Sequence, residues 1–212
     1  VYGVATQAVL LHWLAVALWD YRPVTVLLYP AAVLLFGGAH AVLFVGVGAA
    51  VHAAPGRLLV ALPAGVIGLE WVAAHAGPLA LSWHPAALMV ASSSHLVQAA
   101  DLAGSEGLGF VVVLVNAALA LAWHRRSSPR SALAHAATGV ALVGLLATYG
   151  AYRLQTVTLT SGSPVVVVQP NATAEEKWAP DAQDALVERT LELTRRALRS
   201  SGARAVVWPE TA

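Results

Sequence analysis

The chain has 212 residues, of which 58% are hydrophobic and only 11% charged, with a mean hydropathy of +0.68. Soluble domains carry about 25% charged residues, so this balance points to a bilayer. The net charge of +1, with no Lys/Arg cluster interleaved with aromatics, argues against nucleic acid as a partner. The absence of cysteine excludes disulfides, thiolate metal sites and a cysteine nucleophile within these residues.

A membrane helix needs roughly 20 apolar residues, and five stretches qualify: residues 1–19, 24–50, 58–74, 108–123 and 133–152. The first begins at once, without a charged leader or a small-residue cleavage site. It therefore reads as an interrupted transmembrane helix and not as a signal peptide. Residues 77–105 hold Trp83, His84, three consecutive serines, His95 and Asp101 and are too polar for a span. An interfacial or re-entrant segment suits them, because irregular backbone at membrane depth must be buried in protein or line a cavity.

Short cytoplasmic loops are enriched in Lys and Arg. Arg125, Arg126 and Arg130 mark one such loop, and counting back two spans puts Arg57 on the same side. Residues 77–105 and everything after Tyr152 are then expected on the extracytoplasmic side.

Beyond Val157 the pattern changes. Residues 165–168 are a continuous β-branched run of the kind expected for a strand buried on both faces. A helix follows with Pro180 and Asp181 at its start, Leu186, Thr190, Leu193 and Ala197 on one face, three arginines near its end and Gly202 just past it. Residues 205–208 read as a second short strand, giving a strand, helix, strand unit of an α/β domain.

Three segments carry a resemblance: V-V-V-V-Q-P-N-A-T-A-E-E-K-W at 165–178, L-V-E-R-T-L-E-L-T at 186–194 and A-V-V-W-P-E-T-A at 205–212. In order and spacing they resemble the start of the nitrilase-like domain of bacterial apolipoprotein N-acyltransferases. The membrane part is similar to the same family in H-W-L-A-V-A-L-W-D-Y at 12–21, Glu70-Trp71, Q-A-A-D-L-A-G-S-E-G-L-G-F at 98–110 and Asn116. The resemblance implies a multi-pass helical membrane domain over residues 1–153, followed at 154–212 by the beginning of an extracytoplasmic α/β nitrilase-like (αββα sandwich) domain. It also implies that the chain is a piece of the protein, without the start of the membrane domain and without the lysine and cysteine that complete the family's Glu-Lys-Cys triad.

By the same resemblance, the complete protein sits in the bacterial cytoplasmic membrane. It moves an acyl chain from a membrane phospholipid, through a cysteine thioester, to the terminal amine of a diacylated apolipoprotein, and it uses no cofactor. The piece alone is expected to be inactive. A membrane-tethered nitrilase-type amidase and a non-catalytic membrane scaffold stand as alternatives.

Acyl transfer needs a nucleophile, a base to activate it and an oxyanion stabiliser. Glu210 directly follows the second strand, and open α/β sheets collect their sites at the carboxyl ends of strands. The resemblance makes it the general base. Lys177 and Trp178 match a K-W pair near the active site and membrane surface; a surface lysine beside an interfacial tryptophan would look the same. Trp83 falls where the family carries a tryptophan in an extracytoplasmic loop, as a substrate contact or a lipid anchor. Glu70 is a carboxylate inside a span, which marks a functional site by default, although near a helix end it can simply reach headgroup water. His75, His84 and His95 lack the spacing of a metal pair and read as structural, so no metal is expected.

Overall fold

The structure, a computed structural model, describes the chain apart from residues 1, 20, 21, 78, 79, 81, 83, 174, 175, 178 and 210–212. Contacts divide it into two units, residues 1–157 and 158–212.

The first unit is helical throughout: α1 (Tyr2–Leu10), α2 (His12–Ala17), α3 (Arg22–Ala53), α4 (Leu58–Ala74), α5 (Ala100–His124) and α6 (Pro129–Thr156). Among the described residues, four helices are long and apolar enough to cross a membrane, at Arg22–Ala53, Pro55–Ala74, Leu96–His124 and Pro129–Thr156. Their solvent-facing surface is hydrocarbon. Val42 and Val45 on α3 are 75% and 74% exposed, as lipid contact requires and water would forbid in such numbers.

The stretch expected as a first span is two short helices. The backbone at Leu11 leaves helical geometry (φ −93, ψ 3) while its side chain is almost fully buried. The turn stays hydrogen-bonded through Leu11 N to Gln7 O at 2.9 Å and Leu14 N to Leu11 O at 2.9 Å. No Pro or Gly near Leu11 announces such a break.

Helix packing in lipid relies on close approach, which small residues permit. Gly37 of α3 lies against Val4 of α1 so tightly that an added Cβ would sit 2.8 Å from Val4 Cα. Gly150 of α6 is more constrained still, because a Cβ there would run into the carbonyl of His95. That contact seats the polar segment. Residues 86–90 and 96–99 form 3-10 turns, and Ala87 and Ala99 form a small core with Leu108 that also takes in Leu146 and Tyr149. The segment enters α5 directly, and α5 breaks helical geometry once, at Ala103 and Gly104 (φ 69). Asp101 at its start takes a hydrogen bond from Tyr149 Oη at 2.8 Å and pairs with Arg153 Nε at 2.6 Å, tying the start of α5 to the end of α6.

The second unit contains β1 (Val165–Val167), a 3-10 turn at Pro180–Ala182, α7 (Gln183–Ser201) and β2 (Ala205–Val207). The strands pair in parallel, with Val165 opposite Ala205 and Val167 opposite Val207, and Val168 N to Val207 O extends the ladder at 3.0 Å. α7 closes on Gly202 in the left-handed conformation, the usual helix terminator. Its buried stripe is Leu186 and Thr190. The run expected to be buried on both faces alternates instead: Val166 and Val168 are buried, while Val165 and Val167 are exposed. One face of a two-stranded sheet is covered and the other is bare.

Candidate functional site

A cavity of about 430 Å³ lies within the first unit, between α1, α3, α4, α5 and the segment around residues 82–89. Its walls are mostly hydrocarbon and aromatic, from Leu10, Phe36, Phe44, Leu62, Leu69 and Met89. A few polar groups converge among them: Gln7, His40, Glu70, His84 and Asn116. Apolar walls with sparse polar groups are the usual make-up of a ligand pocket, and the volume is in the ordinary range.

Each polar group is held by the helix that carries it or by a neighbour. His40 Nδ1 lies 2.8 Å from Phe36 O, one turn back on α3. Gln7, buried on α1, brings its side-chain amide within 3.4 Å of the same ring across 33 residues of sequence. Asn116 returns a hydrogen bond to Val112 O at 2.9 Å. Glu70, three turns into α4, accepts the backbone N–H of Ala86 at 2.9 Å. That bond joins a transmembrane helix to the polar segment and uses only one of the carboxylate's several acceptor sites. Trp13 Nε1 reaches His84 Nε2 at 3.5 Å, a second, weaker tie to the segment.

Of the residues singled out from the sequence, Glu70 therefore lines the cavity and also fastens its wall. Trp83 lies outside the described residues, although Ser82 and His84 on either side line the cavity. Gln7 and His40 escaped sequence reasoning. The available signal was that each is a polar side chain inside an otherwise apolar helix, where such groups seldom face lipid.

In the second unit, Lys177 is half-buried in a helical turn after β1, with its backbone N bonded to Thr173 O at 3.1 Å. Its turn is built on a reciprocal pair: Thr173 N donates to Glu176 Oε2 at 3.0 Å and Glu176 N to Thr173 Oγ1 at 3.2 Å. This is the capping-box exchange that a Thr-x-x-Glu pattern signals. Arg189 of α7 clamps the loop from the other side, through Glu176 Oε1 at 3.1 Å and Pro170 O at 3.4 Å. The Thr173 amide and the Arg189 guanidinium hold the Glu176 carboxyl below the usual carboxylate range. Trp178 lies outside the described residues.

β2 leads into Trp208, whose Nε1 donates to Thr194 Oγ1 on α7 at 2.9 Å. The indole thus fixes the strand end immediately before Pro209 and Glu210; Glu210 itself lies outside the described residues. Arg189 braces the turn after β1, and Thr194 with Trp208 braces the end of β2; Trp208 belongs to the segment quoted from the sequence, but no spacing rule pairs it with Thr194 or Arg189 with Glu176. Among the described residues, no three His, Asp or Glu side chains converge as a metal site.

A family model described as the apolipoprotein N-acyltransferase N-terminal domain matches residues 1–118. Similar proteins include apolipoprotein N-acyltransferase 2 of Treponema pallidum, 34% identical over 143 residues, covering 63% of this chain and 24% of that one. The apolipoprotein N-acyltransferase of Bradyrhizobium diazoefficiens is 29% identical over 161 residues, covering 73% and 30%. That of Gloeobacter violaceus is 31% identical over 148 residues, covering 69% and 27%. The chain thus spans under a third of the length of these curated relatives, and no solved structure matches it at a significant level. A domain match over more than half the chain, on the helices that build the cavity, places it in the apolipoprotein N-acyltransferase family.

Proposed function

We propose that the complete protein transfers an acyl chain from a membrane phospholipid, through a cysteine thioester, to the terminal amine of a diacylglyceryl-cysteine lipoprotein at the bacterial cytoplasmic membrane. Residues 154–212 are, on this reading, the start of an extracytoplasmic nitrilase-like domain that follows a membrane domain at 1–153. The observation that carries it is the parallel β1–α7–β2 unit running into Trp208-Pro209-Glu210 directly after a bundle of membrane helices. Glu210 then takes the proton from the cysteine and later from the incoming amine. Lys177 and Trp178 are assigned to contact with the lipid substrates.

The cavity supports the lipid part. Its hydrocarbon walls suit an acyl chain, and Glu70 offers an acceptor at its rim while holding the wall through Ala86. Trp83, between two residues that line the cavity, is assigned to the same lipid contact. The bare face of the two-stranded sheet favours a larger α/β sandwich, since parallel sheets are normally covered on both sides.

The test is the full-length protein in phospholipid vesicles with a diacylated lipopeptide. A third acyl chain on the lipopeptide is expected, at the expense of phospholipid. Release of free fatty acid without lipopeptide acylation would identify an amidase-type enzyme that uses water, and no turnover of either lipid would favour a scaffold.

A further inference from the structure

A second cavity, of about 390 Å³, opens at the opposite end of the helices, where α3 gives way to α4 and α5 to α6. Val51 and His52 of α3, Pro55, Leu58 of α4, and Ala120 and His124 of α5 line it. Its walls are aliphatic, and its polar members are two imidazoles.

The residues that flank this lining in the chain carry charge of one sign. Arg57 directly precedes Leu58, and Arg125 and Arg126 directly follow His124; all three are exposed. Arg126 stands over the Trp123 ring, 5.1 Å from its centre, and donates to Trp123 O at 3.2 Å. Residues 50–60 and 118–135 contain neither Asp nor Glu, and none of the ion pairs among the described residues uses these arginines. The carboxylates of Glu70 and Asp101 belong to the other ends of α4 and α5.

We propose that this cavity is a binding site for an anionic phospholipid distinct from both acyl-transfer substrates. Its phosphate is held among Arg57, Arg125 and Arg126, and part of one acyl chain lies against Val51, Leu58 and Ala120. A cationic rim over an aliphatic floor is complementary to that chemistry, and basic pockets between helix ends at the cytoplasmic side are where such headgroups collect. The site is defined by its residues; the arginine excess assigns it to the inner leaflet.

Any juxtamembrane arginine gains about fivefold in attraction to an anionic surface, so the claim specific to a site is that position matters. Native mass spectrometry of the full-length protein in neutral detergent, titrated with phosphatidylglycerol or phosphatidylcholine, reads this without reference to acyl transfer. Saturable retention of one phosphatidylglycerol is expected, with phosphatidylcholine retained at least tenfold more weakly. Replacing Arg57, Arg125 and Arg126 together by Gln should weaken phosphatidylglycerol more than tenfold, while Arg130→Gln, in the first turn of α6 and not next in sequence to any lining residue, should weaken it less than twofold. Ala120→Leu leaves every charge in place and fills the floor, so it should also weaken binding, and keeps the test valid if the triple variant does not fold. Excess glycerol 1-phosphate should not displace the lipid. Equal retention of the two lipids, an Arg130→Gln loss equal to that of Arg125→Gln, unchanged binding in Ala120→Leu, or displacement by glycerol 1-phosphate would each overturn the proposal.

Discussion

The two units solve opposite packing problems with the same twenty side chains. In the first, large aliphatic residues of α3 face outward and polar Gln7 and Thr25 face inward, where the Thr25 hydroxyl is bonded to Leu18 O. In the second, α7 buries Leu186 and Thr190 and turns Glu192 and Arg196 to the outside, paired at 2.5 Å. The inversion follows from the solvent: hydrocarbon offers no partner for a polar group, so such groups retreat inward and find one. A consequence for function is that the first unit can build a lipid-lined cavity with a few inward polar groups, while the second can place ionised side chains at strand ends in water. On the proposed function, lipid handling falls to the first unit and proton transfer to the second.

The largest effect expected from that division is at Glu210. In the complete protein, Glu210→Gln keeps shape and strand end but cannot accept a proton. Acyl-enzyme formation from phospholipid should fall by about a hundredfold to ten-thousandfold at unchanged thermal stability. Normal thioester accumulation in the variant would break the assignment of proton transfer to the second unit.

Next in size is a steric test of the first unit. Gly150→Ala places a methyl group against the His95 carbonyl, backbone that cannot rotate away. A loss of about 2 to 3 kcal/mol in detergent-solubilised stability is expected, as for other overpacked sites. Gly144→Ala on the same helix meets nothing within 4 Å, so it should be neutral or slightly stabilising. Equal behaviour of the two would mean that the polar segment does not rest on α6.

Glu70 comes third because it has one hydrogen bond to lose. Glu70→Ala leaves the Ala86 N–H buried without its acceptor, at a cost of about 1 to 2 kcal/mol, whereas Glu70→Gln retains a carbonyl for it. If Glu70 only fastens the cavity wall, lipopeptide acylation should survive in the Gln variant. A fall in acylation at normal stability would show that its charge meets a substrate.

How much of this was legible in the sequence follows the same division. The span expected at 58–74 coincides with α4, and the Gly202 terminator and both strands of the second unit lie where the residue pattern puts them. These are local signals: hydrophobic length, β-branched runs and a glycine cap. The break at Leu11 and the start of α5 at Ala100, eight residues before the apolar stretch, were not legible, because no Pro or Gly marks Leu11 and the partners of Asp101, Tyr149 and Arg153, come from about 50 residues away. The cavity was hidden for the same reason. Glu70 stood out alone, but Gln7, His40 and Ala86, which line the cavity with it, come from three other elements, and no spacing rule connects them.

The smallest expected effect sharpens the comparison where the second unit meets water. Glu176 is half-buried, and its carboxyl is held below the ordinary carboxylate range, first by the Thr173 N–H and then by Arg189. A depressed value in the folded chain means that ionisation favours the folded loop. The contribution is complete above the ordinary carboxylate range, and protonation removes it as pH falls through the depressed value. The turn that carries Lys177 should therefore loosen on acidification while α7 and the strands persist. Hydrogen exchange of the Thr173 amide reads this directly: protection should drop under acid in the wild type and be low and insensitive to pH in Glu176→Gln, after correction for intrinsic exchange. Arg189→Gln removes the guanidinium but leaves the Thr173 amide, the larger influence, so the drop should move only part of the way toward the ordinary range. Protection that does not change with pH in the wild type would show that the capping exchange between Thr173 and Glu176 does not hold this loop in solution.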